Sequence, residues 1–179
     1  MFTDRSDAGR RLAERVAALR LLDPVVYAVP RGGVPVAIRI AEKLHAPLDL
    51  LFLTAGAHGS GRGARRRSAP LENRIRYLGD RAPISASGRD AVIVDDGMAS
   101  GATMRAALAE VRKQGAALVV VAVPVAPARV CAELGPIADQ VVVLETPAEF
   151  WAIGPFYKDF HQLSDEETVD LLGEHWAVA

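Results

Sequence analysis

Cysteine is nearly missing from this chain, with Cys131 alone among 179 residues. An internal disulfide framework is thereby excluded, and the scarcity suits a reducing compartment, with Cys131 read as a small buried hydrophobe. An excess of one charge is also lacking: 21 Lys and Arg face 22 Asp and Glu, for a net charge of -1. That balance favours neither a nucleic-acid coat nor a polyacidic tail, so nucleic acid is disfavoured as a partner. Long apolar runs are missing too. The longest, "GAALVVVAVPVAPA", is short and broken by proline, and the opening "MFTDRSDAGRRLAERVAALR" is too charged for a secretory leader. A cytoplasmic protein without membrane contact is expected. His and Cys show no metal-ligand spacing, and His45 and His161 read as surface or satisfied histidines.

Half of the residues are apolar, enough for one core, and the length fits a single domain over residues 1–179. Leu12, Val16 and Leu19 recur at helical spacing behind Ser6 and Asp7, which predicts a first helix over about 7–20. "PVVYAV", "LDLLFL", "AVIVDD", "ALVVVAV" and "QVVVLE" read as buried strands. Between them lie "VPVAIRIAEKLH", with Pro35 in its first turn, then "TMRAALAEVRKQ", which Gly115 ends, and a short helix from Pro127 to Leu134 ended by Gly135. Apolar strands alternating with helices predict an α/β fold with a mainly parallel sheet of about five strands and helices on both faces. Residues 54–70, "TAGAHGSGRGARRRSAP", lack periodicity and read as a mobile loop. Residues 148–179 form a tail. From Phe150 on it holds six of the ten aromatics, and "SDEE" offers a capping box from Ser164 to Glu167.

Two strand-to-helix turns carry the chemistry. In "AVIVDDGMASGATM", residues 91–104, Asp95 and Asp96 end a strand, and Ala99, Ser100, Gly101, Ala102 and Thr103 enter a helix. N–H groups and hydroxyls converging at a helix N-terminus suit a phosphate monoester. Paired carboxylates suit a vicinal diol or a hydrated Mg²⁺. In "VPRGGVP", residues 29–35, the N–H groups of Arg31, Gly32 and Gly33 and the Arg31 cation make a second anion site at the same sheet edge. Asp96, at a strand end outside the core, is expected to be replaceable by Asn without harm to the fold.

These residues resemble a known family. "VIVDDGMASGATM" is similar to the phosphoribosyl pyrophosphate (PRPP) motif of type I phosphoribosyltransferases, and "PRGGVPVA" to their pyrophosphate loop. The likeness extends over about residues 4–52 and 72–179, including "FWAIGPFYKDFHQLSDEE", and points to a bacterial group of unassigned substrate. It implies the type I fold with a small C-terminal hood, and a homodimer. It also implies Mg²⁺-dependent transfer of 5-phosphoribose from PRPP to a nitrogenous base with release of pyrophosphate. Asp95 and Asp96 would bind the ribose hydroxyls and, indirectly, the metal; Ala99 to Thr103 the 5′-phosphate; Arg31, Gly32 and Gly33 the pyrophosphate. Asp95, Asp96 and Arg31 would be the catalytic set. Trp151 and Tyr157 in the hood would stack the base.

Two departures shape the expectation. Ala99 stands where many 6-oxopurine enzymes of the family place a third carboxylate as general base, so the loop is more similar to the adenine and orotate kinds. The related group continues the strand "LDLLFL" into an Arg-Lys pair and a glycine. Here "LTAGAHGSGRGARRR" follows, leaving Arg62, Arg65, Arg66 and Arg67 as nearby cations. A second reading therefore stays open: a PRPP- or nucleotide-binding regulator of weakened catalysis, contacting RNA through its basic loop.

Overall fold

The computed structural model describes residues 1–53 and 69–178. Helix α1 (Arg5–Ala17) is followed by β1 (Val25–Ala28), α2 (Gly33–Leu44), β2 (Leu48–Leu50), α3 (Ala69–Leu78) and β3 (Asp90–Val94). Then come α4 (Ala102–Lys113), β4 (Leu118–Val125), α5 (Ala128–Leu134), β5 (Gln140–Glu145), a 3₁₀ turn at Gly154–Phe156 and α6 (Asp165–Val178). The strands form one five-stranded sheet in the order β2-β1-β3-β4-β5, every neighbouring pair parallel.

Alternate strand residues point to opposite faces, and each face has its own core. Val26, Ala28, Val92, Val94 and Val120 pack with Leu12 and Val16 of α1, Val34 and Ile40 of α2, and Leu172 of α6. Val25, Tyr27, Ile93, Val119 and Val121 pack with Met104, Leu108 and Val111 of α4 and Val130 and Leu134 of α5. Each fully buried Val, Leu or Ile contributes about 1.5–3 kcal/mol, so these two layers hold the strand ends in place.

The helix over residues 69–78 was not expected, and it takes in Ala69 and Pro70, which the sequence reading assigned to the loop. The rest of that loop, 54–68 with its four arginines, lies outside the described residues. Helix α3 is tied to β2 by a bond from Arg74 Nη1 to Asp49 Oδ1 of 2.9 Å, and Asp49 Oδ2 accepts the Ile84 N–H at 2.8 Å. The tail also divides. Its capping box forms, with the Glu167 N–H donating to Ser164 Oγ at 3.0 Å and the Ser164 N–H to Glu167 Oε2 at 2.8 Å. Helix α6 then packs on α2 and α3 as part of the flanking layer, which narrows the hood to the segment between β5 and α6.

Candidate phosphate and ribose site

The chain leaves β1 for β2 on one side and later returns to lay β3 on the other. The sheet therefore reverses its winding between β1 and β3, and a crevice opens beyond their carboxyl ends. Both glycine turns sit at that reversal. The two touch: a Cβ on Gly33 would lie 2.6 Å from the Val94 carbonyl oxygen, and one on Gly32 would lie 2.6 Å from Asp96 Cγ. Glycine is required at both positions by close approach. The peptide bond between Pro30 and Arg31 is cis.

The turn after β3 forms a cleft of about 200 Å³ lined by Asp95 to Met104 and by Ile153. Gly101 enters α4 at φ 73° with no side-chain cap on the helix, and among the described residues only Ser100 Oγ accepts a first-turn N–H, that of Ala102, at a long 3.4 Å. Donors at the positive end of α4 are thus left for a ligand. Ala99, Ser100, Ala102 and Thr103 are exposed, and Gly101 is buried.

Asp95 and Asp96 are held differently. Asp95 Oδ1 accepts the Asp96 N–H at 2.8 Å, and its second oxygen meets no donor among the described residues. Asp95 opens part of its surface to the cleft yet is enclosed on most sides. Burial first, then the charge of Asp96, raises its carboxyl well above the usual carboxylate range. Asp96 is buried and clamped: Oδ2 accepts from Arg5 Nε at 2.8 Å, and its carbonyl from the Tyr157 hydroxyl at 2.6 Å. Arg5 in turn donates from Nη1 to the His161 carbonyl at 2.9 Å and stacks 3.9 Å over the Phe160 ring.

Sequence reasoning missed Arg5. It lies 91 residues from Asp96 and outside both motifs, at the first turn of a helix whose periodicity signalled only packing. Its position follows from the N-terminal strand-like pairing of Phe2 with Tyr157, in which the Phe2 N–H donates to the Phe156 carbonyl at 2.7 Å. The structure gathers Arg5, Arg31, Gly32, Asp95, Asp96 and Phe160 along a second cleft of about 270 Å³. It also corrects three expectations. The Gly33 N–H is taken by the Val29 carbonyl at 3.0 Å, which leaves Arg31 and Gly32 as donors of that turn. Tyr157 is buried against Phe2 and Phe160 rather than presented to a base, with its hydroxyl pKa raised by burial and by Asp96. Asp96 carries a buried ion pair, so its replacement by Asn is no longer neutral for the fold. Trp151 is 89% exposed. A roomier cavity of about 540 Å³ lies at the other end of α2, between His45 and Trp176, and shares no residue with either turn.

The chain is an α/β protein in which paired carboxylates and an uncapped glycine turn meet where the parallel sheet reverses its winding. The chain belongs to the phosphoribosyl transferase domain family, whose profile matches residues 4–160. It is 41% identical, over 96% of its length, to a Mycobacterium tuberculosis protein named "Putative phosphoribosyl transferase". The chain spans about half of that relative, 46% of its length. It is similar to TT1426 from Thermus thermophilus, with a TM-score of 0.87 and 36% identity, covering 97% of this chain and 98% of the other. A purine phosphoribosyltransferase from Pyrococcus horikoshii shares the fold at a TM-score of 0.53 and 19% identity, covering 89% of this chain and 93% of that one. The fold is that of the type I phosphoribosyltransferases. Among the described residues no helix is long and apolar enough to cross a membrane.

Proposed function

We propose that the protein transfers the 5-phosphoribosyl group of PRPP to a nitrogenous base and releases pyrophosphate. The observation that carries this reading is the contact between the two glycine turns at the β1/β3 reversal, with the carboxylates of Asp95 and Asp96 between two sets of anion donors. The N–H groups and hydroxyls from Ala99 to Thr103 would receive the 5′-phosphate. Asp95 and Asp96 would accept hydrogen bonds from the ribose diol, while Arg31 and the Gly32 N–H would face the pyrophosphate. Asp96 is pre-oriented by Arg5 and by the Tyr157 hydroxyl, so it would lose little freedom on binding.

The residues present fit Mg²⁺. Asp95 offers a hard oxygen in an enclosed, negatively charged corner. Among the described residues no three acidic, His or Cys side chains gather as a metal cage, so such an ion would take most of its ligands from phosphate and water. When bound, Mg²⁺ would offset the charge that develops on departing pyrophosphate. The protein's own part is to hold the ribose and its two anionic ends in line, and to keep fixed donors where charge develops.

Calorimetric titration of PRPP with and without Mg²⁺, beside ribose 5-phosphate, tests the reading. Tighter, Mg²⁺-assisted binding of PRPP is expected, followed by pyrophosphate release when a panel of bases is added. Failure of both sugars to bind would sink it.

A further inference from the structure

Arg31 of the turn after β1 and Arg76 in the last turn of α3 converge on one carboxylate, that of Asp165 at the start of α6. Their Nη1 atoms lie 3.5 Å and 2.7 Å from its oxygens, and the Tyr77 hydroxyl donates to the oxygen nearer Arg31. Three donors from two separate segments thus surround a single anionic group. The group is partly exposed, with 32% of the Asp165 side chain open to solvent. Tyr77 first, then Arg76, lowers its pKa below the usual carboxylate value.

Packing calls for only part of this arrangement: the buried Tyr77 needs one acceptor for its hydroxyl, but not two guanidinium groups on that acceptor. Ion pairs this exposed contribute little to stability. The N-terminus of α6 is already capped by Ser164 and Glu167. The cluster does touch the proposed substrate path, because Arg31 lines the same cleft as Asp95 and Asp96. Two guanidinium groups and a phenol converging on an oxyanion are the donor set that phosphate oxygens use.

We propose that Arg31, Arg76 and Tyr77 form an oxyanion subsite for the outer phosphate of a diphosphate group, and that Asp165 fills it as an internal anion until phosphate displaces it. The proposal rests on the transferase reading above and adds to it a second cation and a competitor. Arg76 supplies the positive charge that the sequence sought in the 54–70 loop. A phosphate carrying two charges displaces a single-charge carboxylate, and the freed Asp165 side chain is rehydrated at its exposed position. No bond is made or broken in this exchange.

The test titrates inorganic pyrophosphate and, separately, ribose 5-phosphate into the full chain, Asp165→Asn and Arg76→Gln. Removing the competitor should tighten pyrophosphate binding about fivefold, the scale of one exposed ion pair. Removing the second cation should weaken it about tenfold, the scale of one charge-assisted hydrogen bond. Ribose 5-phosphate should bind all three proteins alike. Unchanged or weaker pyrophosphate binding in Asp165→Asn overturns the proposal, as does unchanged binding in Arg76→Gln or no binding to any of the three. Arg76 is more than half exposed, so its variant carries the test even if Asp165→Asn lowers the melting temperature. Loss of ribose 5-phosphate binding in the unmodified chain would instead count against the transferase reading, while the pyrophosphate titrations would still decide the subsite.

Discussion

The turn after β3 carries no charged side chain between Gly97 and Thr103 and opens its donors to solvent, whereas the turn after β1 is pressed against Asp96 and has its arginine paired with Asp165. Both are glycine-bearing passages from a buried strand into a helix. The first would hold a phosphate through backbone N–H groups and hydroxyls that have few partners among the described residues. The second would rely mainly on the Arg31 cation, which here is paired with Asp165. A backbone site needs no partner until its ligand arrives; a side-chain site is defined as much by its resting partner as by its ligand.

The comparison is sharpened most by Gly101→Val. Gly101 sits at φ 73°, and a Cβ there would lie 2.7 Å from Val130 Cγ1, so valine is strained by backbone and by bulk alike. Ribose 5-phosphate affinity should fall by about a hundredfold, as for the loss of a charge-assisted contact at the high end of its range, while inorganic pyrophosphate binding changes little. Equal losses for both ligands in calorimetry would mean that the two turns do not act separately.

An effect of similar size, read on stability rather than on affinity, is expected on the Asp96 side. Asp96→Asn leaves the Arg5 charge without its partner in a site where both side chains are about nine-tenths buried, which costs about 3 kcal/mol of stability. Adding Arg5→Met should recover part of that loss, with a coupling of about 1–3 kcal/mol in a double-mutant cycle read by denaturant unfolding. Additive effects would show that Arg5 and Asp96 do not depend on each other. Ribose affinity should stay low in the double variant, because the Asn amide offers the diol one neutral acceptor in place of a carboxylate.

The smallest change is Tyr157→Phe. It removes the donor on the Asp96 carbonyl and should cost about 1 kcal/mol of stability. Diol binding should weaken slightly, with no effect on the phosphate turn. A larger loss at the phosphate turn than at the diol, measured with ribose 5-phosphate against inorganic phosphate, would place the Tyr157 contact on the wrong side of the comparison.

Much of this was legible along the chain. "QVVVLE" reads as the strand Gln140–Glu145, and "AVIVDD" places Asp95 just past the end of β3, because apolar runs bounded by breakers leave few other options. The Ser164 capping box could be read because a cap is a contact between residues three apart. Helix α3 was harder to see: its stripe is weak and it is held by Arg74 on Asp49, a tie spanning 25 residues. Tyr157 was misjudged for a similar reason. Its composition marked an aromatic available for stacking, but the Phe2 strand pairing buried it.

The sequence by itself determined the strand-helix alternation, both glycine turns and the acidic pair, since these depend on local conformational freedom and on hydrophobic spacing over a few residues. Only the tertiary structure decided which charges meet. Arg5 reaches Asp96, and Arg31 and Arg76 reach Asp165, across separations of many tens of residues. Such pairs leave no periodic trace in the chain, because the sheet and not the local backbone brings their partners within hydrogen-bond range.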